Sequence, residues 1–233
     1  MAGDEVKLLG TWASPYSERV RVGLKLKGVS YNFADLDIRP GKPKSPELLR
    51  YNPAYKKIPI LLHHGQPIAE SLVILEFVDD QWAGEGPSLL PKDPYQRALA
   101  RFWAKFFDDK CIRPLWMSLW TEGEKQKGLM AEAKANLSII EGELEGKKFF
   151  GGEEIGIVDV AVICSLYWID VVQEAVGVSV LDSERHPAAC RWMKDLLGAG
   201  GAVNGLLPPR EKLRAYFEAD KEGFRARMNA LYG

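Results

Sequence analysis

Residues 6–28 read VKLLGTWASPYSERVRVGLKLKG. The apolar run Val6–Leu9, closed by Gly10, predicts a short buried strand. Thr11–Ala13 is a turn, and Ser14-Pro15 is a helix start: Ser serves as N-cap, and Pro at the first helical position has no N–H to leave unpaired. Glu18 near the start, Lys25 and Lys27 near the end and Gly28 as a stop complement the dipole of that helix. Val20, Val22, Leu24 and Leu26 alternate with Arg19, Arg21, Gly23 and Lys25, a period of two that belongs to a strand. The caps outweigh the alternation, and the segment is read as a helix. A hydroxyl at a strand-to-helix turn lies beside unpaired backbone N–H groups that favour an anion, a thiolate included. From these residues alone, Ser14 is a plain N-cap.

Downstream, Tyr31–Leu36 alternates as a second strand, and Asp37–Lys44 (DIRPGKPK) is a Pro/Gly-rich loop. Pro46–Tyr51 is a short helix stopped ahead of Asn52-Pro53. The run Tyr55–Leu62 and the run Pro67–Ala69 flank the turn His64-Gly65-Gln66 as a hairpin. Glu70-Ser71 opens a helix through Trp82. The order βαβ then ββα predicts a small mixed sheet with helices packed on it, an α/β domain over residues 1–82.

Residues 83–94 (AGEGPSLLPKDP) read as a linker, and residues 95–233 as an all-helical domain. Leu99, Phe102, Trp103, Phe106 and Phe107 form an apolar stripe at helical spacing, and Pro114 is expected to kink that helix. Residues 128–145 are helix-prone, Phe149-Phe150-Gly151-Gly152 is a turn, and Ile157–Val176 is apolar almost throughout, as befits a central core helix. Helices over 184–197 and 209–216 follow, separated by the Gly-rich stretch 198–205.

Composition narrows the function. Lys plus Arg total 31 against 32 for Asp plus Glu, so the net charge is −1 and there is no electrostatic case for nucleic acid. No apolar run approaches a membrane span, and the N-terminus lacks a signal-like apolar core, so a cytoplasmic protein is expected. Cys111, Cys164 and Cys190 are scattered and His63, His64 and His186 have no ligating spacing, so no metal is expected.

The series Trp12-Ala13-Ser14-Pro15-Tyr16 with Arg19-Val20-Arg21, Asn52-Pro53, Lys56-Lys57-Ile58-Pro59, Glu70-Ser71, Asp93-Pro94-Tyr95-Gln96-Arg97 and Phe150-Gly151-Gly152 resembles the cytosolic glutathione transferases, and its local motifs look like the plant tau class. The matches run in order from about Val6 through Trp168; the last sixty or so residues carry none. The resemblance implies a thioredoxin-like N-terminal domain that binds glutathione and a helical domain that holds a hydrophobic co-substrate. It implies a cis Ile58-Pro59 bond with the Ile58 backbone pairing to the cysteinyl unit of glutathione, and Glu70 and Ser71 holding its γ-glutamyl end. It also implies Lys44 and Lys57 near the glycyl carboxylate, and Ser14 donating to the sulfur as the catalytic residue. By the same resemblance, Trp12, Tyr16, Ile112, Trp116, Leu119 and Trp168 are expected to line the pocket for the electrophile. The implied activity is conjugation of xenobiotics in detoxification, with reduction of organic peroxides beside it, in a homodimer.

Two other readings stand beside the enzyme. One is a ligandin-type carrier of conjugates or pigments, which would not need a thiolate stabiliser. The other is a dehydroascorbate reductase or thioltransferase, which needs Cys where this chain has Ser14. Departures from the family pattern are Tyr16 where many relatives have Phe, a longer loop over Arg39–Pro43, and Gly156 where the pattern Ser/Thr-x-x-Asp has its hydroxyl. Gly is an acceptable N-cap, so Asp159 is expected to keep its folding role.

Overall fold

The structure, a computed structural model, describes residues 5–39, 42–181, 183–184, 186–198, 203 and 207–232. The chain forms two compact units, Met1–Leu90 and Pro91–Gly233. In the first, strands β1 (Val6–Gly10), β2 (Asn32–Asp35), β3 (Ile60–His63) and β4 (Gln66–Ala69) make one sheet in the order β2-β1-β3-β4. β1 and β2 are parallel, joined through helix α1 (Pro15–Leu26), whereas β3 runs antiparallel to both β1 and β4. His64 and Gly65 both take positive φ (49° and 76°), the two-residue turn whose twist suits a hairpin.

The sheet alternates as a two-faced sheet must. Leu8 and Leu61 on one face pack with Val20 and Leu24 of α1 and with Ile74 and Val78 of α3 (Ser71–Gln81). Leu9, Ile60 and Leu62 on the other pack with Leu48 of α2 (Pro46–Tyr51). Each such side chain removed from water contributes roughly 1.5–3 kcal/mol. The strand-like alternation in α1 has its cause here. Val20, Val22 and Leu24 are buried, and so are Ser17, Glu18, Arg19 and Gly23, because this helix is enclosed on more than its sheet-facing side. Gly23 is needed for that closeness, since a Cβ there would lie 2.4 Å from Leu75 Cδ2.

The stretch read as a linker is not uniform. Leu89 and Leu90 are buried, and their N–H groups donate to Asp79 Oδ1 and Oδ2, each at 2.9 Å. Asp79 also pairs with Lys27 at 2.7 Å, both nearly inaccessible to water. Residues up to Leu90 are therefore fastened to the first unit.

The second unit opens with α4 (Pro94–Phe106), capped by Asp93 Oδ1 on the Gln96 N–H at 2.9 Å. Pro114 does not simply kink it. A π-helical segment, Phe107–Ile112, precedes α5 (Arg113–Ser118), and the Arg113 N–H reaches back to the Asp108 carbonyl. Without an N–H, Pro114 cannot bond the Lys110 carbonyl four residues back, and widening the turn relieves its ring of that contact. The freed Lys110 carbonyl accepts instead from Asn136 Nδ2 at 2.9 Å. Asn136 lies on α6 (Gly123–Glu143), which starts five residues earlier than its polar sequence indicated.

Helix α7 (Ile157–Val176) is the buried centre, as its composition required. Asp159 caps it: Oδ2 accepts from Gly156 N at 2.9 Å, while Oδ1 accepts from Phe150 N at 2.9 Å and from Trp192 Nε1 at 2.6 Å. Trp192 belongs to α8 (Pro187–Gly198), and Tyr167 of α7 donates to the Pro208 carbonyl ahead of α9 (Arg210–Ala219). A last helix, α10 (Lys221–Tyr232), was not foreseen, because Asp220 interrupts α9 without a Pro or Gly signal. Most of the Gly-rich stretch 198–205 lies outside the described residues. Among the described residues no helix is long and apolar enough to cross a membrane.

Candidate active site

The strand directions gather four segments at one end of the sheet. β1 ends at Gly10 beside Asp35, the end of β2, and Leu9 pairs with Ile60, the start of β3. Ile60 pairs in turn with Ala69, the end of β4. Thr11–Ser14, the loop after Asp35, the approach Lys56–Pro59 and Glu70-Ser71 therefore all leave or enter the sheet at the same end. Extending the β1–β3 register sets Pro59 beside Gly10 and Ile58 beside Thr11. The Ile58-Pro59 bond is cis.

Ser14 is the N-cap of α1, and Ser14 Oγ accepts from the Ser17 N–H at 3.3 Å. Capping uses a lone pair of that oxygen and leaves its O–H proton to donate elsewhere. The turn is held from both sides: Ser14 N donates to Thr11 O at 3.1 Å, and Trp12 N donates to Asp35 Oδ1 at 3.2 Å. Gly10 lets the strand run close under the helix, since a Cβ there would stand 2.7 Å from Ser17 Oγ.

Glu70 takes φ 72°, a left-handed value that costs an ordinary residue of order 1–3 kcal/mol and recurs at binding sites. It is exposed, at the N-cap of α3, and the buried Ser71 follows at the first turn. Ser71 Oγ accepts from Nη1 of Arg19 at 3.0 Å. Arg19 is wholly buried and its guanidinium also lies over the Tyr16 ring at 5.0 Å. One cation thus ties α1, Tyr16 and the start of α3 together, a role that a sequence motif containing Arg19 did not disclose. The one signal was the arginine on a helix face whose neighbours are apolar. Lys44 Nζ donates to the Lys56 carbonyl at 2.9 Å, which brings the loop after β2 to the approach of β3. The Lys57 carbonyl accepts from Asn52 Nδ2 at 3.0 Å, and the Lys57 side chain is exposed.

The residues assigned to the electrophile pocket differ in what they offer. Tyr16 is exposed and Trp12 half-buried in the first unit. In the second, Trp116 is half-buried, in ring contact with Trp120 and Phe217. Ile112, Leu119 and Trp168 are buried, Trp168 completely, and pack as core. Side chains buried this deeply can shape a wall from behind.

One carboxyl beside the site is displaced from its ordinary range. Burial pushes Glu18 up to about 7, against the opposing charge and hydrogen bond of Arg21. Its Oε1 meets Arg21 Nη1 at 2.5 Å while Oε2 is buried without a partner. Arg21 Nε reaches Tyr31 Oη at 3.1 Å. Burial also pushes the Cys111 thiol up to about 12, so it is no nucleophile at neutral pH. Among the described residues no group of three or more His, Cys, Asp or Glu is placed to hold a metal.

Residues 4–80 match the family model of the glutathione S-transferase N-terminal domain, and residues 97–198 that of its C-terminal domain. The chain is 44% identical to glutathione S-transferase U8 of Arabidopsis thaliana, covering 93% of this chain and 95% of the relative. It is 45% identical to a probable glutathione S-transferase of Glycine max, over 96% and 97% of the two chains. The solved tau-class enzyme of mango, Mangifera indica, superposes with a TM-score of 0.83 at 40% identity, covering 92% of this chain and 98% of the other. A rice glutathione transferase solved in complex with glutathione superposes at 0.82 with 34% identity over the whole of both chains. With both domains matched and relatives alike from end to end, the chain belongs to the glutathione S-transferase family and, within it, to the tau class.

Proposed function

We propose that this enzyme binds glutathione at the gathered strand ends and joins its sulfur to small hydrophobic electrophiles, with Ser14 as the catalytic residue. The observation that carries the reading is the Ser14 hydroxyl at the N-terminus of α1, its proton left over by the capping bond. A thiol of pKa about 8.5 is mostly protonated at neutral pH, and its thiolate is the nucleophile. Lowering that pKa by one to two pH units takes about 1.4–2.7 kcal/mol, within the range of one charge-assisted hydrogen bond and a helix N-terminus. The thiol proton passes to solvent, the sulfur bonds to the electrophilic carbon and the leaving group departs with its electron pair. Ser14 donates throughout and needs no general base.

The Ile58 backbone meets the cysteinyl unit in strand fashion. Ser71 and the N–H groups of α3 receive the γ-glutamyl carboxylate, with Glu70 facing its ammonium, and Lys57 and Lys44 face the glycyl carboxylate. Tyr16, Trp12 and Trp116 offer the aromatic surface for the electrophile, backed by Ile112, Leu119 and Trp168. Organic peroxides are a second substrate class for the same thiolate. The working form is a cytoplasmic homodimer, which would cover Val73, Tyr95 and Phe102, large apolar side chains exposed on this chain.

The test is conjugation of glutathione to 1-chloro-2,4-dinitrobenzene as a function of pH. The native chain should turn over with an apparent pKa well below that of free glutathione, and Ser14→Ala should lose at least tenfold in rate at neutral pH. Full activity in Ser14→Ala would reduce this serine to a helix cap. An inactive native chain that still binds glutathione would make the protein a carrier.

A further inference from the structure

We propose that Glu18 is a positioning residue for the reaction: one turn beneath Ser14, its carboxyl favours the glutathione thiolate while it holds its proton and opposes it once ionised. This role rests on the glutathione reading of the Ser14 turn, and it adds a second acid to the same site. Ser14 and Glu18 are four residues apart, and the Glu18 N–H donates to the Ser14 carbonyl at 3.0 Å, closing the first turn of α1. Residues so spaced are neighbours on one helix face, with Cβ atoms about 5–6 Å apart.

The Glu18 side chain is wholly buried in that turn. Oε1 is held by Arg21, whereas Oε2 has no hydrogen-bond partner. A buried carboxylate needs acceptor bonds at both oxygens, so an oxygen left without one favours the neutral acid. The same enclosure raises the carboxyl to about 7.

The charges around Glu18 make its state matter at Ser14. Arg21 lies on the same helix and donates from Nε to Tyr31 Oη, ahead of β2. Asp35, at the end of β2, faces Glu18 with a like charge and holds the Trp12 N–H of the Ser14 turn at 3.2 Å. On the α3 side, Arg19 is bonded to Ser71, and Asp79 is paired with Lys27 at the far end of α1. Protonated Glu18 leaves the Arg21 cation uncancelled beside the helix N-terminus, and both favour an anion at Ser14. Ionised Glu18 cancels Arg21 and adds to the charge of Asp35. The coupling is mutual: the thiolate raises the affinity of Glu18 for its proton by the factor by which ionised Glu18 raises that of the sulfur. No proton passes between the two groups, since each exchanges with solvent.

The experiment compares the native full chain with Glu18→Gln, both saturated with glutathione, by the ultraviolet absorbance of the bound thiolate from pH 5 to pH 8. The thiolate-to-thiol ratio of the native chain should match that of the variant at pH 5. At pH 8 it should fall behind by about two- to fivefold, the effect of a unit charge roughly 8–10 Å away in a partly wet protein. A second measurement reads the native chain itself, by NMR of ¹³C-labelled glutamate carboxyls. The Glu18 midpoint should lie at higher pH with glutathione than with S-methylglutathione, which has no thiol to ionise. Ratios that stay equal at every pH, or one midpoint with both ligands, would overturn the role. Ser14→Ala run alongside separates the two readings. Thiolate lost in Ser14→Ala with equal ratios in Glu18→Gln removes Glu18 alone, and thiolate kept in Ser14→Ala with ratios that diverge in Glu18→Gln removes Ser14 alone.

Discussion

Glu18→Gln should make the protein less dependent on pH, and more stable above neutrality. Glu18 is fully buried in the first turn of α1, with Oε1 on Arg21 and Oε2 unpartnered. Burial outweighs that ion pair and raises the carboxyl from 4.5 to about 7. Between those values the folded chain holds a proton that the unfolded chain has released, so stability must fall as pH rises. The contribution is whole below about pH 4.5 and is lost as pH climbs through 7. One extra proton on the folded chain is worth about 1.4 kcal/mol for every pH unit it is retained, so the loss between pH 5 and 8 comes to about 2–3 kcal/mol. Glutamine has the shape of the protonated acid and can still accept from Arg21, but it does not ionise. Urea unfolding of both proteins at pH 5, 6, 7 and 8 measures the effect. The free-energy difference, variant minus native, should grow toward pH 8. Parallel curves would mean that Glu18 titrates alike in both states. A native chain that gains on the variant with pH would mean that the Arg21 pair outweighs burial.

Two predictions concern the helical unit. Asp159→Ala strands the N–H groups of Phe150, Gly156 and Trp192, each costing about 1–3 kcal/mol when buried. Thermal unfolding should show a loss of several kcal/mol, and a loss below about 1 kcal/mol would refute the hub. Asn136→Ala removes the donor to the Lys110 carbonyl that Pro114 leaves open, an exposed bond whose loss should cost about 0.5–1 kcal/mol by the same measurement. The double variant Asn136→Ala, Pro114→Ala should recover part of that cost, because an N–H at position 114 can bond Lys110 again. Additive losses would show that the two are unrelated.

Much was legible without coordinates because it rests on local chemistry. Ser14-Pro15 marks a helix start with a capping oxygen and a residue that has no N–H to leave unpaired, and it opens α1; the same chemistry at Ser45-Pro46 and Asp93-Pro94 caps α2 and α4, the latter inside the stretch read as a linker. The turn residues His64 and Gly65, the stop at Gly28 and the apolar length of α7 are likewise properties of a few neighbouring residues. The period-two pattern of α1 was misleading as a strand signal, since it recorded a helix buried on several sides. The end of the chain was least legible, as α10 follows α9 at Asp220 with no Pro or Gly between them and its packing against Trp120 involves residues a hundred positions apart.

The candidate site divides the same way. Sequence alone singled out the residues proposed to carry the chemistry, in a family's order: Ser14, the Ile58-Pro59 pair and Glu70-Ser71. Only the tertiary structure decided that β1, β3 and β4 bring them to one end of a sheet, and that the buried Arg19 joins Ser71 to the helix of Ser14. It alone decided that Glu18 lies in the interior with an unmet oxygen, and that Trp168 and Leu119 are core while Trp116 keeps a free face. Caps and turns are settled within a few residues by hydrogen bonds along the chain. Burial, and the charge state that follows from it, is settled by what distant segments exclude from water.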